Sequence, residues 1–226
     1  MIPVYIGYDA VESGAFWTCA DSILERSTVP VQIIPLKRTQ LPLKRARHPK
    51  QSNEFSFTRF LVPYLQNYQG YGIFVDCDFL FMGDIAELWF LRDETKAVQV
   101  CQHPSASFHE GTKYLGTEQT VYDKKCWSSL MLFNSSHKDC KMLTPDYIDH
   151  APGLELHQFK WVHDDNIGSL PLEWNWLVGH YPYKRDVKAV HFTEGGPYFK
   201  DYAETEYAQE WWDQFHAMKY VKEGLT

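Results

Sequence analysis

The stretch Gly72-Ile-Phe-Val-Asp-Cys-Asp-Phe-Leu-Phe81 carries the strongest structural and chemical signal in the chain. Its apolar start predicts a central strand over residues 72–76, because a strand buried on both faces reads as a continuous hydrophobic run. Two acidic residues follow where this strand emerges from the sheet. Residues two apart in extended backbone point the same way, so Asp76 and Asp78 are expected to face one cavity.

This pair of carboxylates predicts a divalent metal site. Like charges side by side repel unless a cation or a proton joins them. Oxygen ligands suit Mg²⁺ or Mn²⁺, which keep positions open for substrate phosphates, and ligands of open α/β sheets bind beyond the carboxyl ends of the strands. The alternative is a turn with two solvated aspartates, but the apolar residues on both sides of the pair favour the metal site.

His191 is the expected third metal ligand. It lies near the end of a predicted strand at residues 187–192, which could be adjacent to the first strand in the sheet. A histidine nitrogen added to oxygen ligands favours Mn²⁺, although a single histidine on a strand is more often structural. The turn that follows contains Gly195 and Gly196, and glycines let backbone approach a phosphate closely.

The remaining pattern predicts an α/β domain. Residues 2–9 read as a strand, 12–26 as a helix and 31–35 as a second strand, and this β-α-β opening predicts a parallel sheet covered by helices. Further predicted elements are helices at 55–68 with a kink at Pro63, at 84–89 with Asp84 as N-cap and at 203–219, and strands at 96–101, 128–134 and 188–192. The polar stretch 103–123 is predicted to be a mobile loop.

Length and composition favour one domain, residues 1–226, in the cytoplasm. The chain has 226 residues, of which 44% are hydrophobic, so it can bury a core but is short for two domains. The net charge of −7 argues against nucleic acid as a partner. The five cysteines are odd in number and lack a Cys-x-x-Cys spacing, which favours free thiols in a reducing compartment. The N-terminus does not resemble a signal peptide, and no apolar run reaches the ~18 residues of a membrane span.

The loop at residues 37–50 is strongly basic and contains no acidic residue. Its cationic residues are Lys37, Arg38, Lys44, Arg45, Arg47 and Lys50. One interpretation is a solvated loop; the other is contact with an anionic acceptor, or peripheral contact with the inner face of a membrane. The terminal helix with Trp211 and Trp212 could add an interfacial anchor, but packing of this helix on the sheet is the favoured expectation.

An ordered set of segments resembles the retaining glycosyltransferases of the GT-A fold, in particular family 8, which includes glycogenin and bacterial galactosyltransferases. The set covers nearly the whole chain, and the Asp-x-Asp motif at 76–78 is its most specific part. The segments are Val4-Tyr-Ile-Gly-Tyr-Asp9, Phe57-Thr-Arg-Phe-Leu-Val-Pro-Tyr64, Phe74-Val-Asp-Cys-Asp-Phe79, Asp84-Ile-Ala-Glu-Leu-Trp89, Trp127-Ser-Ser-Leu-Met-Leu-Phe-Asn134, Leu170-Pro-Leu-Glu-Trp-Asn175 and His191-Phe-Thr-Glu-Gly195.

The resemblance implies a single-domain GT-A (Rossmann-like) fold with a mostly parallel central sheet flanked by helices. The nucleotide-binding part would occupy about residues 1–100 and the acceptor-side part about residues 101–226. The implied activity is that of a hexosyltransferase-type glycosyltransferase, which moves a sugar from a nucleoside-diphosphate sugar, expected to be a UDP-sugar, with retention and with Mn²⁺ or Mg²⁺. The acceptor (carbohydrate, lipid-linked or protein) and a homo-oligomeric state stay open.

The resemblance also implies roles for residues at two strand ends. Asp76, Asp78 and His191 would hold Mn²⁺ against the donor diphosphate. Tyr8 and Asp9, at the end of the first strand, would contact the base. The carboxyl edge of the sheet would therefore bind the whole nucleotide.

Further residues are expected near the donor. Cys77 lies between the two acids and is expected in the same nucleotide site. Arg59 would approach Asp76 or the donor sugar, and a structural ion pair is the equally weighted alternative. Asp164 and Asp165 would face the donor sugar and the acceptor, and they are the candidates if a carboxylate takes part in catalysis; an acidic helix cap is the alternative there.

Departures from the family pattern predict a divergent relative. Ser128 and Ser129 stand where the family has Asn-Ser-Gly, and Asp165 replaces a glutamine. The glycine after His191 is shifted and the phosphate-binding lysine is missing, although Lys200 could substitute. Sugar specificity is therefore not carried over, and a covalent glycosyl intermediate and attack from the face of the leaving group both stay open.

Two other classes of protein are the alternatives. Haloacid-dehalogenase-type phosphatases also place Asp-x-Asp after an apolar strand, but near the start of the chain and with Thr or Val where Leu80 stands here. A non-catalytic nucleotide-sugar-binding protein with a degenerate site would explain the altered serines and the missing lysine. Turnover of a donor would separate the transferase from both.

Overall fold

The computed structural model describes residues 1–47, 51, 53–108, 111–113, 117–119 and 122–218. Lys50 of the basic loop and residue 219 at the predicted end of the terminal helix lie outside this part of the chain. The strands are β1 (Ile2–Tyr8), β2 (Val31–Lys37), β3 (Tyr71–Val75), β4 (Phe79–Phe81), β5 (Val98–Cys101), β6 (Gly111–Lys113), β7 (Thr117–Gln119), β8 (Leu130–Asn134), β9 (Ile167–Leu170), β10 (Trp176–Leu177) and β11 (Ala189–His191). The α-helices are α1 (Ser13–Arg26), α2 (Val62–Leu65), α3 (Ile85–Phe90), α4 (Pro145–His150), α5 (Gly153–His157) and α6 (Ala208–Ala217).

The central sheet has the strand order β2-β1-β3-β8-β5-β9. β1 runs parallel to both β2 and β3, and β5 runs parallel to β9. β8 is antiparallel to its two neighbours β3 and β5, so every strand of this sheet except β8 points the same way. The predicted fold class, a mostly parallel central sheet flanked by helices, is confirmed.

Burial explains why these segments form the middle of the sheet. Residues 73–75 of β3 and the whole of β8 are buried, as expected for strands covered on both faces. β2 lies at the edge and is only partly covered, and it contains Pro35, whose missing N–H is tolerated on an edge strand. Helix α1 packs its buried face against β4 and α6, so the predicted β-α-β opening is also confirmed.

A second, smaller sheet decides where the histidine strand lies. β11 pairs in parallel with β10 and antiparallel with β4, with His191 opposite Phe79. The expectation that the histidine strand could be adjacent to the strand at 72–76 is wrong, since β11 pairs with the strand that follows the acid pair. The reason is the short crossing at 76–78, which takes the chain from one sheet directly into the other.

Several predicted boundaries differ from the structure. The helix expected at 55–68 is a 3₁₀ turn at Thr58–Leu61 followed by α2. Pro63 lies in the first turn of α2, where a missing N–H is tolerated. The terminal helix begins at Ala208 because Tyr207 has a φ of 60° and interrupts the helical backbone. Within the expected loop at 103–123, β6 and β7 form an antiparallel pair.

The hydrophobic core has a main cluster around the central sheet and a smaller cluster beneath the second sheet. α6 contributes the buried Trp211 to the smaller cluster, where Val190 and Phe192 also lie. The terminal helix therefore packs on the protein, as favoured from the sequence. Among the described residues, no helix is both long enough and apolar enough to cross a membrane.

The arginines of the basic loop are largely engaged within the protein. Arg38 and Arg47 both pair with Glu54, at 3.6 and 2.8 Å. Arg45 donates to the carbonyls of Ile148 and Ala151 at the end of α4 and lies over the ring of Phe57. These contacts favour a structural part for the three arginines, and the predicted membrane contact of residues 37–50 gains no support from them.

Candidate metal centre

Asp76 and Asp78 lie in the crossing between the two sheets. β3 ends at Val75 and β4 begins at Phe79, so both acids are anchored by buried strands on either side. Their side chains are only 10% and 12% exposed. Two buried carboxylates side by side repel each other unless a cation or a proton joins them.

His191 completes the cluster from the second sheet. Its ring stacks on Phe79 at 4.3 Å between centroids, because the two residues are paired across β11 and β4. Its Nε2 lies 3.4 Å from Asp78 Oδ1. The ligand atoms of Asp76, Asp78 and His191 all lie within 4.8 Å of one another. The structure thus brings together the three residues that the sequence predicts as metal ligands.

Asn175 orients the imidazole of His191. Asn175 Oδ1 lies 2.9 Å from His191 Nδ1, while its Nδ2 donates to Ser129 Oγ at 2.8 Å and to the Cys126 carbonyl at 3.4 Å. This network assigns the proton to Nδ1 and leaves the Nε2 lone pair for the carboxylate side. A partner of this kind fixes the tautomer of a metal-binding histidine.

Arg59 lies directly against the acid pair. Its Nη1 is 3.0 Å from Asp76 Oδ1 and 2.9 Å from the carbonyl of Ser128, and the guanidinium is buried. The predicted approach of Arg59 to Asp76 is therefore present as an ion pair. Arg59 therefore fixes the position of the Asp76 carboxylate within the cluster.

The donor set fits a hard divalent cation. Two carboxylates and one imidazole are available within one buried cluster, and such mixed oxygen and nitrogen sets suit Mn²⁺, with Mg²⁺ favoured by oxygen alone. Three protein ligands also leave positions for the oxygens of a substrate. These residues therefore fit the metal that the sequence predicts.

The predicted glycine turn follows the cluster immediately. Gly195 has a φ of 147°, and a Cβ on Gly196 would lie 2.2 Å from the ring of Tyr198. Tyr198 Oη donates to Glu12 Oε1 at 2.8 Å. Burial, and then the nearby Glu12 and Asp78, raise the pKa of Tyr198, so the phenol keeps its proton and ties the turn to the start of α1.

Tyr8 and Asp9 stand at the same edge, at the end of β1. Both carboxylate oxygens of Asp9 already accept backbone N–H groups, Oδ1 from Val11 and Oδ2 from Glu54, each at 3.0 Å. Asp9 therefore shapes this corner of the fold. Tyr8 is half-buried, and Lys37 Nζ lies 5.8 Å from its ring centroid, so Tyr8 is the more available of the two for a base.

Cys77 lies in the turn between the two acids, and its side chain is fully buried in the main core. Burial, followed by the charges of Glu12, Asp78 and Asp76, raises the pKa of this thiol well above its usual value. Only the backbone of Cys77 is thus placed to serve the predicted nucleotide site.

The structure does not bring Asp164 and Asp165 to the cluster. They form a 3₁₀ turn directly before the first residue of β9, which runs parallel to β3. They therefore lie at the amino edge of the sheet, whereas Asp76 follows the carboxyl edge. Their side chains are 79% and 90% exposed, and Lys124 pairs with Asp164 at 2.5 Å and lowers the pKa of that carboxyl. Their expected role beside a donor sugar stays a prediction.

Sequence reasoning missed two residues that reach the site. Asn175 ends a segment already matched to the family, but its contact with His191 depends on the turn after β9. His157, the last residue of α5, places Nδ1 2.8 Å from the hydroxyl of Ser128. A histidine at the end of a short helix carries no local motif, so no sequence signal marks it.

The architecture and the position of the cluster define the GT-A fold, and solved structures agree. The galactosyltransferase LgtC in complex with donor and acceptor sugar analogs superposes with a TM-score of 0.64 over 98% of both chains, at 11% identity. The bifunctional glycosyltransferase WbbM in its apo form gives a TM-score of 0.63 at 14% identity, over 94% of this chain. This chain spans only 51% of WbbM. At such identities the likeness concerns the fold alone.

A curated relative places the chain in a family. The chain belongs to the family of Protein CDI from Arabidopsis thaliana, with which it is 42% identical over 230 residues. The alignment covers 98% of this chain and 88% of that protein. No protein-family profile matches the chain.

Proposed function

We propose that the protein is a metal-dependent glycosyltransferase that moves a sugar from a nucleoside-diphosphate sugar to an acceptor. One observation carries the proposal: Asp76, Asp78 and His191 lie within 4.8 Å of one another at the carboxyl edge of a GT-A sheet. That edge is where α/β sheets bind their ligands. LgtC, a galactosyltransferase solved with donor and acceptor sugar analogs, supports the same function by analogy of fold.

In this proposal the three ligands hold Mn²⁺, or Mg²⁺, next to the donor diphosphate. When bound, the ion neutralises the negative charge that develops on the departing nucleoside diphosphate. Arg59 pairs with Asp76 and holds its carboxylate in place, and Asn175 keeps Nε2 of His191 directed at the cluster. These residues act by position and charge, and none of them changes its covalent bonds.

The donor nucleotide would lie along the ends of β1 and β3. We place the base beside Tyr8, with Asp9 shaping the corner, and the diphosphate beside the glycine turn at Gly195 and Gly196. UDP is the nucleotide we expect, with residues of about 1–100 contributing most contacts and residues of about 101–226 the acceptor side. A hexose and retention of configuration complete the proposal, and Asp164 and Asp165 have no part in it.

We do not propose the phosphatase alternative. In that class Asp-x-Asp lies near the start of the chain, whereas here it follows β3, the third strand along the chain. The non-catalytic nucleotide-sugar-binding protein has the same fold and the same cluster. Only turnover separates it from the transferase. The test must therefore measure both binding and release of the nucleotide.

The test measures binding of nucleoside diphosphates and their release from a panel of nucleotide sugars, with and without Mn²⁺. It compares the wild type, Asp76→Asn and the matched control Asp164→Asn. We expect Mn²⁺-dependent release that falls on the order of 10²-fold in Asp76→Asn and is unchanged in Asp164→Asn. Binding of a nucleoside diphosphate without turnover of any donor would favour the non-catalytic protein. Equal rates in Asp76→Asn and wild type would remove the cluster from the reaction.

A further inference from the structure

The 3₁₀ turn at Trp127–Ser129, called the serine turn below, is connected to both the acid side and the histidine side of the metal cluster. The carbonyl of Ser129 accepts the N–H of Asp76 at 2.9 Å, and its hydroxyl accepts from Asn175 Nδ2 at 2.8 Å. Asn175 in turn contacts His191 at 2.9 Å. One serine therefore connects the acid after β3 with the imidazole from the second sheet.

Ser128 adds a third connection, through Arg59. Arg59 Nη1 lies 2.9 Å from the carbonyl of Ser128 and 3.0 Å from Asp76 Oδ1. A guanidinium only donates hydrogen bonds, and a buried one must keep its partners. The position of the Ser128 carbonyl therefore helps to set where Arg59 meets Asp76.

His157, which belongs to the acceptor-side part of the chain, hydrogen-bonds to the serine turn. Its Nδ1 lies 2.8 Å from Ser128 Oγ, and Arg59 Nη1 lies 3.5 Å from the same oxygen. Since Arg59 donates to this oxygen, the hydroxyl proton of Ser128 is available for His157 Nδ1. The imidazole also packs at a steep angle on Phe60, 5.3 Å between centroids, and lies beside Phe57. Its orientation is thus set by α5 and by two aromatic rings.

We infer that His157 is a positioning residue of the metal centre, which acts through Ser128 on Arg59 and Asp76. The consequence for catalysis rests on the proposed function, while the contacts themselves involve only residues of this chain. From the sequence, Asp164 and Asp165 were the residues of the acceptor-side part that were expected to reach the donor site. The structure gives that connection to α5 and its last residue, because α5 reaches the carboxyl edge of the sheet and the acidic turn does not.

The experiment compares His157→Ala, His157→Asn and the matched control His150→Ala in the full chain. His150 also ends a short helix, but its side chain is 78% exposed and hydrogen-bonds within α4. Titration with Mn²⁺ alone, followed by the electron paramagnetic resonance of the free ion, gives the affinity. Loss of an outer-shell partner costs 10–100-fold in metal affinity, so we expect about 10-fold weaker binding in His157→Ala. His157→Asn, whose amide reaches the Nδ1 position, should return to within about threefold of the wild type, and His150→Ala should bind as the wild type does.

Unchanged Mn²⁺ affinity in His157→Ala would overturn the inference. An equal loss in His157→Ala and His157→Asn that follows their melting temperatures would also overturn it, since a purely structural role predicts that result. If the wild type itself binds no Mn²⁺, the proposed function fails, and a crystal structure of His157→Ala decides the inference separately. Displacement of Ser128 and Arg59 in that structure would support it, and unchanged positions would overturn it.

Discussion

The two edges of the central sheet carry similar acidic sequences in different surroundings. At the carboxyl edge, Asp76 and Asp78 are 10% and 12% exposed and share a cluster with a histidine. At the amino edge, Asp164 and Asp165 are 79% and 90% exposed. β3 has five residues, so the edges are separated by roughly 16 Å at about 3.3 Å per residue. Aspartate pairs therefore lie in two different environments at the two edges of one sheet, one buried and one exposed to solvent.

The difference shows that burial and fixed partners turn a pair of acids into a candidate site. Asp76 is held by Arg59 and by the backbone of Ser129. Asp164 has an ion pair with Lys124, but exposed pairs contribute little because solvent screens them and flexible side chains must be ordered. We expect chemistry at the first edge and solvation at the second, and the predictions below test this contrast.

The largest expected effect is that of Asp78→Asn. The change keeps the shape of the side chain but removes one of two anionic metal ligands, so turnover of the donor should fall on the order of 10²-fold or more. Steady-state release of nucleoside diphosphate at saturating Mn²⁺ measures it, with the melting temperature as a control for folding. A rate near that of the wild type would show that the carboxyl edge does not hold the reacting groups.

Asn175→Ala should have the next largest effect. The change removes the acceptor that fixes the Nδ1 proton of His191, and loss of such a partner costs about 10–100-fold in metal affinity. Mn²⁺ titration measures the affinity. The comparison variant is Asn175→Asp, which keeps an oxygen for His191 Nδ1 and should lose less than Asn175→Ala. Equal affinities in all three proteins would show that the ring is oriented by Phe79 stacking alone.

His103, just beyond the end of β5, should make the carboxyl edge sensitive to acid. Burial, with added repulsion from His191 and His180, lowers the pKa of His103 to about 3. In the unfolded chain a histidine takes up a proton near its ordinary pKa of about 6.5, so acid favours unfolding between that value and 3. At pH 5 the loss of stability is on the order of 2 kcal/mol.

Denaturant unfolding of the wild type and His103→Asn at pH 7 and pH 5 measures this contribution. The asparagine amide can replace the hydrogen bond of His103 Nδ1 to Tyr181 Oη, 2.9 Å long, but cannot be protonated. We expect the wild type to lose more stability between the two pH values than His103→Asn loses. Parallel losses in the two proteins would show that His103 is protonated in the folded state.

The smallest effect is expected at the amino edge. Asp164→Asn and Asp165→Asn should each change the free energy of unfolding by less than about 0.5 kcal/mol and leave donor turnover unaltered. The small change in stability and the unaltered turnover both follow from the exposure of the two side chains and from the position of their 3₁₀ turn before β9. A large fall in turnover with unchanged stability would show that the amino edge also takes part in the reaction.

Much of the fold was predictable because local patterns and burial agree. The apolar run of 73–75, the helical stripe of 12–26 and the N-cap Asp84 all correspond to observed elements. Predictions failed where a single backbone position interrupts a pattern, as at Tyr207. They failed also where pairing between distant segments decides, as for β11, whose partner is β4.

The candidate site was predictable only in part. Asp76 and Asp78 directly follow an apolar strand, which is a local signal, and the structure brings their carboxylates together although Cys77 and Asp78 form a turn. The contacts of Asn175 with His191 and of His157 with Ser128 carry no such local signal, because they join residues that are 16 and 29 positions apart. For Asp164 and Asp165 the sequence shows the charge but not which edge of the sheet the charge occupies.

By itself, the sequence determined the fold class, the acid pair and the histidine as candidate ligands, since hydrophobic periodicity and residue chemistry are local properties. Only the tertiary structure decided that the histidine reaches the acids through a second sheet, that the serine turn connects them, and that the other acidic pair lies at the far edge. These outcomes depend on strand order and direction, which arise from packing between segments far apart in the chain.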